Sequence, residues 1–271
     1  MRVPHVNGLS AGVSRVAGQL GRLPSDPSKP RIRLAEIATA TRHYPPVSVD
    51  WGSRVLSWPM YLNDSLGDCV IAEIGHQIES ASFDADGTAM LVTDQDILAG
   101  YEAVGGYVPG DPATDNGCVI QDALAYWRST GIGGHKCVAF ASADLGNQAE
   151  LMQGVAAFGS LDIGISVSQG DMDAFESGRP WDTSYSAGSV LGGHAVEVVA
   201  YDQDGGLVVT WGQLQRFTWD WFRQAADEAW IVILPEWWEQ RAVSPSGFSM
   251  HRLGVRLHEL TGAPNPFPQA G

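Results

Sequence analysis

The sequence predicts an α+β fold in which a helical first half faces an antiparallel sheet. Three observations point there. Apolar residues recur at helical spacing between residues 69 and 158. From 161 to 234 the pattern shortens to runs of alternating or continuous Val, Ile and Ala. The helical segments come first and the strand segments follow, an order that separates the two kinds of structure into two layers.

Each element has its own signal. Residues 1–50 are punctuated by Pro24, Pro27, Pro30, Pro45 and Pro46 and read as an irregular arm or linker, with one short helix over Leu34 to Thr41. A helix starts at Cys69 and runs to about Ala81, with Val70, Ile71, Ile74 and Ile78 forming its apolar stripe and Asp68 at the N-cap. Further helices follow over Thr93 to Tyr101, Ile120 to Ser129 and Asn147 to Phe158. Strands are expected over Leu161 to Val167, His194 to Tyr201, Leu207 to Trp211 and Ala229 to Leu234. The turn Asp202 to Gly206 makes a hairpin of the middle two, and Thr218 to Gln224 reads as a helical turn. Residues 235–271 return to a Pro-rich extension with a short helix near His251 to Leu260. The expected organisation is therefore an arm (1–50), a domain (51–234) and an extension (235–271).

Composition excludes several functions. The chain has 271 residues, 44% of them hydrophobic, with a net charge of −15. An acidic surface repels phosphate, which argues against nucleic acid as a partner. No apolar run reaches the length of a membrane span, and the N-terminus lacks the apolar core of a signal peptide. A cytoplasmic or virion location is the expectation. Cys69, Cys118 and Cys137 form no C-x-x-C pair, and no cofactor or metal is expected. Asp202 and Asp204 lie in a turn that resembles a calcium loop but lacks the glutamate such a loop needs.

The chemistry centres on Asn63-Asp-Ser-Leu-Gly-Asp-Cys69, a loop ending at a helix start. Outward-pointing N–H groups and the helix dipole favour a thiolate in the first turn, while the neighbouring Asp68 charge opposes it. A cysteine nucleophile needs a base. His194, after Gly192-Gly193 at a strand start, is the best placed. His76 lies seven residues after Cys69, about 10 Å along the same helix, too far for proton transfer. It reads as packing or surface, and His135 as a solvated loop residue.

These segments, in this order, resemble the papain-like cysteine peptidases. Asp50-Trp-Gly with the Asn63–Cys69 loop is similar to the family's opening and its Gln-x-x-x-Gly-Ser-Cys loop. Residues 115–132 resemble the Gly-x-x-x-x-x-Ala-Leu segment, and 149–156 with Ile163-Gly-Ile resemble the helix and strand lining the cleft. Gly192-Gly-His-Ala-Val with Val208-Val-Thr-Trp-Gly212 resembles Gly-His-Ala-Val and Asn-Ser-Trp-Gly. The resemblance covers roughly residues 50–234. It implies that the helix bearing the nucleophile packs against the sheet half, with Cys69 as nucleophile and His194 as base. Asn63 would stand where the family has its oxyanion glutamine, with the Cys69 N–H as second donor.

One departure matters most. The family's asparagine, which orients the histidine, falls here at Val209, which cannot accept a hydrogen bond. Thr210 can, and neighbouring strand residues face opposite ways, so only one of the two faces His194. Two readings follow. The first is a cysteine hydrolase acting on a peptide or amide. The second is an inactive papain-like scaffold in an assembly such as a phage virion, with protein partners bound through 1–50 and 235–271. The second predicts a cleft plugged by side chains or by the chain's own arm.

Overall fold

The computed structural model describes residues 15–38, 44–236 and 249–267. Trp237, Trp238, His5, His43 and the end of the first expected helix lie outside them. The helical half holds α1 (Leu34–Ala38), α2 (Cys69–Asp86), α3 (Asp94–Gly105), α4 (Ile120–Ser129) and α5 (Gln148–Phe158). The sheet half runs β4 (Ala139–Ser142), β9 (Ala226–Ile233), β5 (Leu161–Ser168), β6 (Val190–Tyr201), β7 (Gly205–Thr210), β8 (Gln213–Thr218) in spatial order. Every pairing among these strands is antiparallel. β2 (Val49–Asp50) joins the far end of β6 at Tyr201 and Ala200. Two short helices, α6 (Gln169–Glu176) and α7 (Trp219–Ala225), follow β5 and β8, and α8 (Met250–Thr261) closes the described chain. The expected α+β architecture, with the Cys69 helix packed on an antiparallel sheet, is therefore what the chain adopts.

α2 departs from the expected amphipathic stripe. It runs to Asp86, and nearly every residue from Cys69 to Ala85 is buried, polar ones included. The sheet covers one side and α3 and α4 the other. Ile71, Ile74 and Ile78 are fully buried, each contributing about 1.5–3 kcal/mol by removal from water. Some of the polar side chains find partners within this layer. Gln77 donates to Glu73 at 2.6 Å, and Ser80 to Glu197 of β6 at 2.5 Å. His76 bonds the Pro59 carbonyl at 2.8 Å and packs between Trp58 and Tyr61, a packing role as the sequence suggested.

Several elements escaped the sequence pattern. β8 is polar and half-buried because it forms the sheet edge, so no apolar alternation marks it. β4 has only four residues. α6 carried a readable start signal: Ser168 and Asp171 form a capping box. His135 corrects an expectation. It is buried, not solvated, accepting from the Trp127 indole at Nδ1 and pairing with Glu236 through Nε2.

Asp171 also organises an aromatic block. Its carboxylate accepts from Ser168 N–H at 2.8 Å, from Ser186 and from the Trp221 indole at 2.8 Å. Its carbonyl accepts from the Trp181 indole at 2.9 Å. Trp181 stacks on Trp221 at 4.8 Å and meets Trp211 edge-on at 6.3 Å. Replacing Asp171 by Ala leaves buried N–H donors unpaired, each costing about 1–3 kcal/mol. The expected outcome is a chemical-denaturation midpoint lowered by a stability loss of roughly 2–4 kcal/mol.

Candidate active site

The loop before α2 is held in an uncommon conformation. Tyr61 and Leu62 have φ of 53° and 68°, and Trp211 across the cleft has 44°. Among the described residues these are the non-glycine positions in the left-handed region, and all of them flank the site. Such conformations cost about 1–3 kcal/mol each and persist where surroundings enforce them. Here Leu66 N–H bonds back to Leu62 O at 3.0 Å, and Gly67 N–H to Asp115 at 3.0 Å. Asp115 in turn accepts from the Tyr101 hydroxyl at 2.5 Å, tying the loop to α3.

Asp68 stands at the N-cap position but does not cap. Its side chain makes no cap bond, and both carboxyl oxygens are buried without hydrogen-bond partners. Burial pushes its carboxyl up to about 8, with the Asn63 side chain pulling the other way. Near neutral pH it is therefore largely protonated. The opposing charge that the sequence placed beside Cys69 is mostly absent.

Cys69 opens α2 and is 2% exposed. Burial raises its thiol to about 12; the backbone amides of Ala195 and Gly21 oppose this, while Asp68 adds to it. The thiol is thus brought to the amide of the residue that follows His194. His194 Nε2 lies 2.8 Å from Thr210 Oγ1. The question left by the sequence is answered: Thr210 faces the ring. Val209 instead packs in a small apolar cluster with Val55, Trp58 and Val199. The His194 ring stacks on Trp211 with centroids 4.6 Å apart, and Phe175 meets the same indole edge-on at 4.8 Å. His194 Nδ1 is buried and has no hydrogen-bond partner. Burial lowers the imidazole to about 3, with the Arg22 and His76 charges adding to the shift.

What fills the cleft is the chain's own N-terminal arm, one of the two fillings the scaffold reading expects. Gln19 N–H donates to Asn63 O at 2.7 Å, and Asn63 Nδ2 donates to Gln19 O at 3.2 Å and to Leu66 O at 3.0 Å. β1 (Arg22–Leu23) pairs in parallel with β3 (Cys118–Val119), and Cys118 N–H donates to Gly21 O at 2.9 Å. Glycine makes the fit feasible. A Cβ on Gly21 would stand 1.8 Å from Gly67 O, and one on Gly117, at φ 75°, 1.8 Å from Gly21 O. Upstream, Arg15 anchors the arm, donating to Phe175 O at 2.9 Å and to Gln215 at 2.6 Å. The sequence signal was small, the pair Gly18 and Gly21 followed by Arg22.

No protein-family model matches the sequence, and no curated protein is significantly similar to it. Solved structures do match. Xylellain, a cysteine protease from Xylella fastidiosa, superposes with a TM-score of 0.62 at 14% identity, over 81% of this chain and 97% of that one. Digestive procathepsin L 3 from the larval midgut of Tenebrio molitor gives 0.54 at 17% identity, over 82% and 76%. The Carica candamarcensis cysteine protease CMS1MS2, in complex with E-64, gives 0.51 at 18%, over 70% and 99%. The fold is that of the papain-like cysteine proteases, in a divergent form. Among the described residues, no helix is long and apolar enough to cross a membrane, and no group of His, Cys, Asp or Glu is arranged to hold a metal ion.

The buried groups around α2 set a pH dependence. Burial raises Glu197 to about 8 and Glu79 to about 7. Glu73 and Asp162 are pushed well up by burial, with repulsion from neighbouring carboxylates adding to it. With Asp68, these carboxyls keep protons that the unfolded chain releases above about pH 4. Their contribution is full below that point and is lost as pH rises toward 7–8. His76 and His194, lowered to about 4 and about 3 chiefly by burial, act oppositely. Their contribution is full above about 6.5 and is lost as pH falls. Because the carboxyls outnumber the imidazoles, thermal melts are expected to give a higher Tm near pH 5.5 than at pH 8.

Proposed function

We propose that the chain is a papain-like cysteine hydrolase, a peptidase or amidase, kept latent by residues 18–23 lying in its cleft. One observation carries the reading. His194 is oriented through Nε2 by Thr210 while Nδ1 is left buried and unpartnered. With Nε2–H donating to Thr210, Nδ1 carries the lone pair a base needs. Thr210 thus takes over the orienting role that Val209 cannot fill.

In the proposed reaction His194 Nδ1 takes the Cys69 proton, and the thiolate attacks the substrate carbonyl. Negative charge develops on the carbonyl oxygen. Asn63 Nδ2 and the Cys69 N–H, free of helical partners in the first turn, are the donors for it. The imidazolium then protonates the leaving amine, and water hydrolyses the thioester. With the arm in place, Asn63 Nδ2 is occupied by the Gln19 carbonyl and the thiol is held protonated. Both features fit latency.

The filled cleft also favours a second reading, an inert scaffold serving in an assembly, for which the arm is permanent filling. Labelling separates the two. In the intact chain Cys69, Cys118 and Cys137 are all free and buried, so iodoacetamide should label all of them slowly. Gly21→Val, whose side chain collides with Gly67, should expel the arm, and Gly18→Val, facing Asn63 O at 2.2 Å, is a second route. Peptide mapping should then find Cys69 labelled about tenfold or more faster than the other two, as its thiol returns toward its ordinary range on re-exposure. Slow, equal labelling in both variants, with the circular dichroism of the intact chain, favours the scaffold.

Thr210→Val tests the orienting contact. In the Gly21→Val background it should lower kcat by about tenfold to a hundredfold, the worth of one hydrogen bond to the base. KM should change little. Hydrolysis of a pooled fluorogenic peptide library is the readout.

A further inference from the structure

Asp68 is a buried acid beside the nucleophile, and the proposed reaction does not use it. It directly precedes Cys69 and is fully buried, and neither carboxyl oxygen has a hydrogen-bond partner. A side chain at the N-cap ordinarily accepts from an N–H of the first turn. Here that bond is missing. Only the Asp68 carbonyl meets the helix, accepting from Ile71 N–H at 2.8 Å and Ala72 N–H at 3.0 Å.

The surroundings decide its charge. Asp115 and Asp64 act on it, and both are carboxylates that oppose a further negative charge. Asp115 is itself engaged, accepting from Gly67 N–H at 3.0 Å and from the Tyr101 hydroxyl at 2.5 Å. The thiols of Cys69 on α2 and Cys118 on β3 also lie in the field of the Asp68 charge, which raises both. A buried carboxylate with acidic neighbours and no completed hydrogen bond is costly, so the group takes a proton instead. Burial accordingly pushes it up to about 8.

The groups near enough to favour the carboxylate are the Asn63 side chain and the N–H of Asp68 itself. Asn63 matters because its Nδ2 is the side-chain donor for the oxyanion. With the arm in place, Nδ2 donates to Gln19 O at 3.2 Å and to Leu66 O at 3.0 Å. Departure of the arm frees the first of these N–H groups. The substrate oxygen and Asp68 are then rival acceptors for it, and an ionised carboxylate is a strong one. Its charge also disfavours the thiolate and the oxyanion beside it. We propose that Asp68 is a positioning residue that controls the oxyanion donor: as a neutral acid it leaves the Asn63 N–H to the substrate, and as a carboxylate it takes that N–H and slows the reaction. The active form is the protonated one, so activity is lost as pH rises. The inference rests on the hydrolase reading for its catalytic half only.

Two measurements test it. The infrared spectrum of the intact chain minus that of Asp68→Asn, in which the other buried acids cancel, should show a carboxylic-acid C=O band at about pH 6.5 that has faded by about pH 9.5. Absence of the band at the lower pH overturns the proposal whatever Cys69 does. In the full chain carrying Gly21→Val, hydrolysis of the fluorogenic library should lose about tenfold in kcat/KM between pH 7 and pH 9, as a group at about 8 loses its proton. The loss should fall on kcat and leave KM within about twofold, because the oxyanion donor acts in the transition state. Adding Asp68→Asn, which keeps the shape of the neutral acid without its ionisable proton, should hold kcat/KM level within about twofold over the same range. Adding Asp64→Asn instead, at an exposed neighbour, should keep the tenfold loss. An equal loss with and without Asp68→Asn, or one abolished by Asp64→Asn, overturns the positioning role and leaves the hydrolase intact. A titrating band in a chain that never hydrolyses the library supports the buried acid but overturns the hydrolase, and the positioning role with it.

Discussion

Everything at the site depends on α2 being enclosed on all sides. A helix covered by a sheet on one side and by two helices on the other cannot rotate or slide without opening the core. Its first turn is the place where it meets the cleft, and Cys69 sits there. The same packing sets β6 against α2, so the Cys69 thiol and the residues around His194 are brought together by two rigid elements. The contacts that hold the layer are mixed. Isoleucines supply the apolar burial, and the buried Ser80–Glu197 bond ties helix to strand.

The cleft left between the halves is as narrow as a peptide backbone. There is no room for a Cβ on Gly21 of the arm or on Gly117 of the wall, each of which would stand 1.8 Å from a backbone oxygen where the chain threads through. Occupancy and chemistry are coupled by this geometry. Of the arm's groups, the Gly21 amide and the Arg22 charge lower the Cys69 thiol against the larger rise from burial, and the Arg22 charge adds to the lowering of His194. The arm also brings a carbonyl to the Asn63 amide and a cation to Glu228.

Much of this was legible in the chain. The helix at Cys69, the strand at His194 and the order of helices before strands were carried by periodicity and by glycine placement, both local signals. Thr210 and Val209 could be named as rivals, because strand alternation admits only one facing the ring. What sequence could not provide was long-range placement. Nothing local says that residues 18–23 run through a cleft formed by residues 63–67, 117–118 and 192–195. Buried charge was invisible for the same reason. Glu73 sits within an Ile-rich helix and reads as a surface residue until the elements covering it are known. Glu228 and Asp227 fall just before the expected strand at Ala229, and nothing local says that a bulge brings both to Arg22. His135 was misread because its partners, Trp127 and Glu236, are 8 and 101 positions away.

Oxidants attack thiolates far faster than thiols, and they attack exposed sulfur before buried sulfur. A cysteine 2% exposed and held near a pKa of 12 offers neither a nucleophile nor a path to one. So long as the arm occupies the cleft, the sulfur at the head of α2 is preserved in its reduced form. Burial at 2% exposure shields the one atom that the proposed chemistry requires. In the latent-hydrolase reading the arm acts as packaging: it shields the thiol as well as setting when it is uncovered.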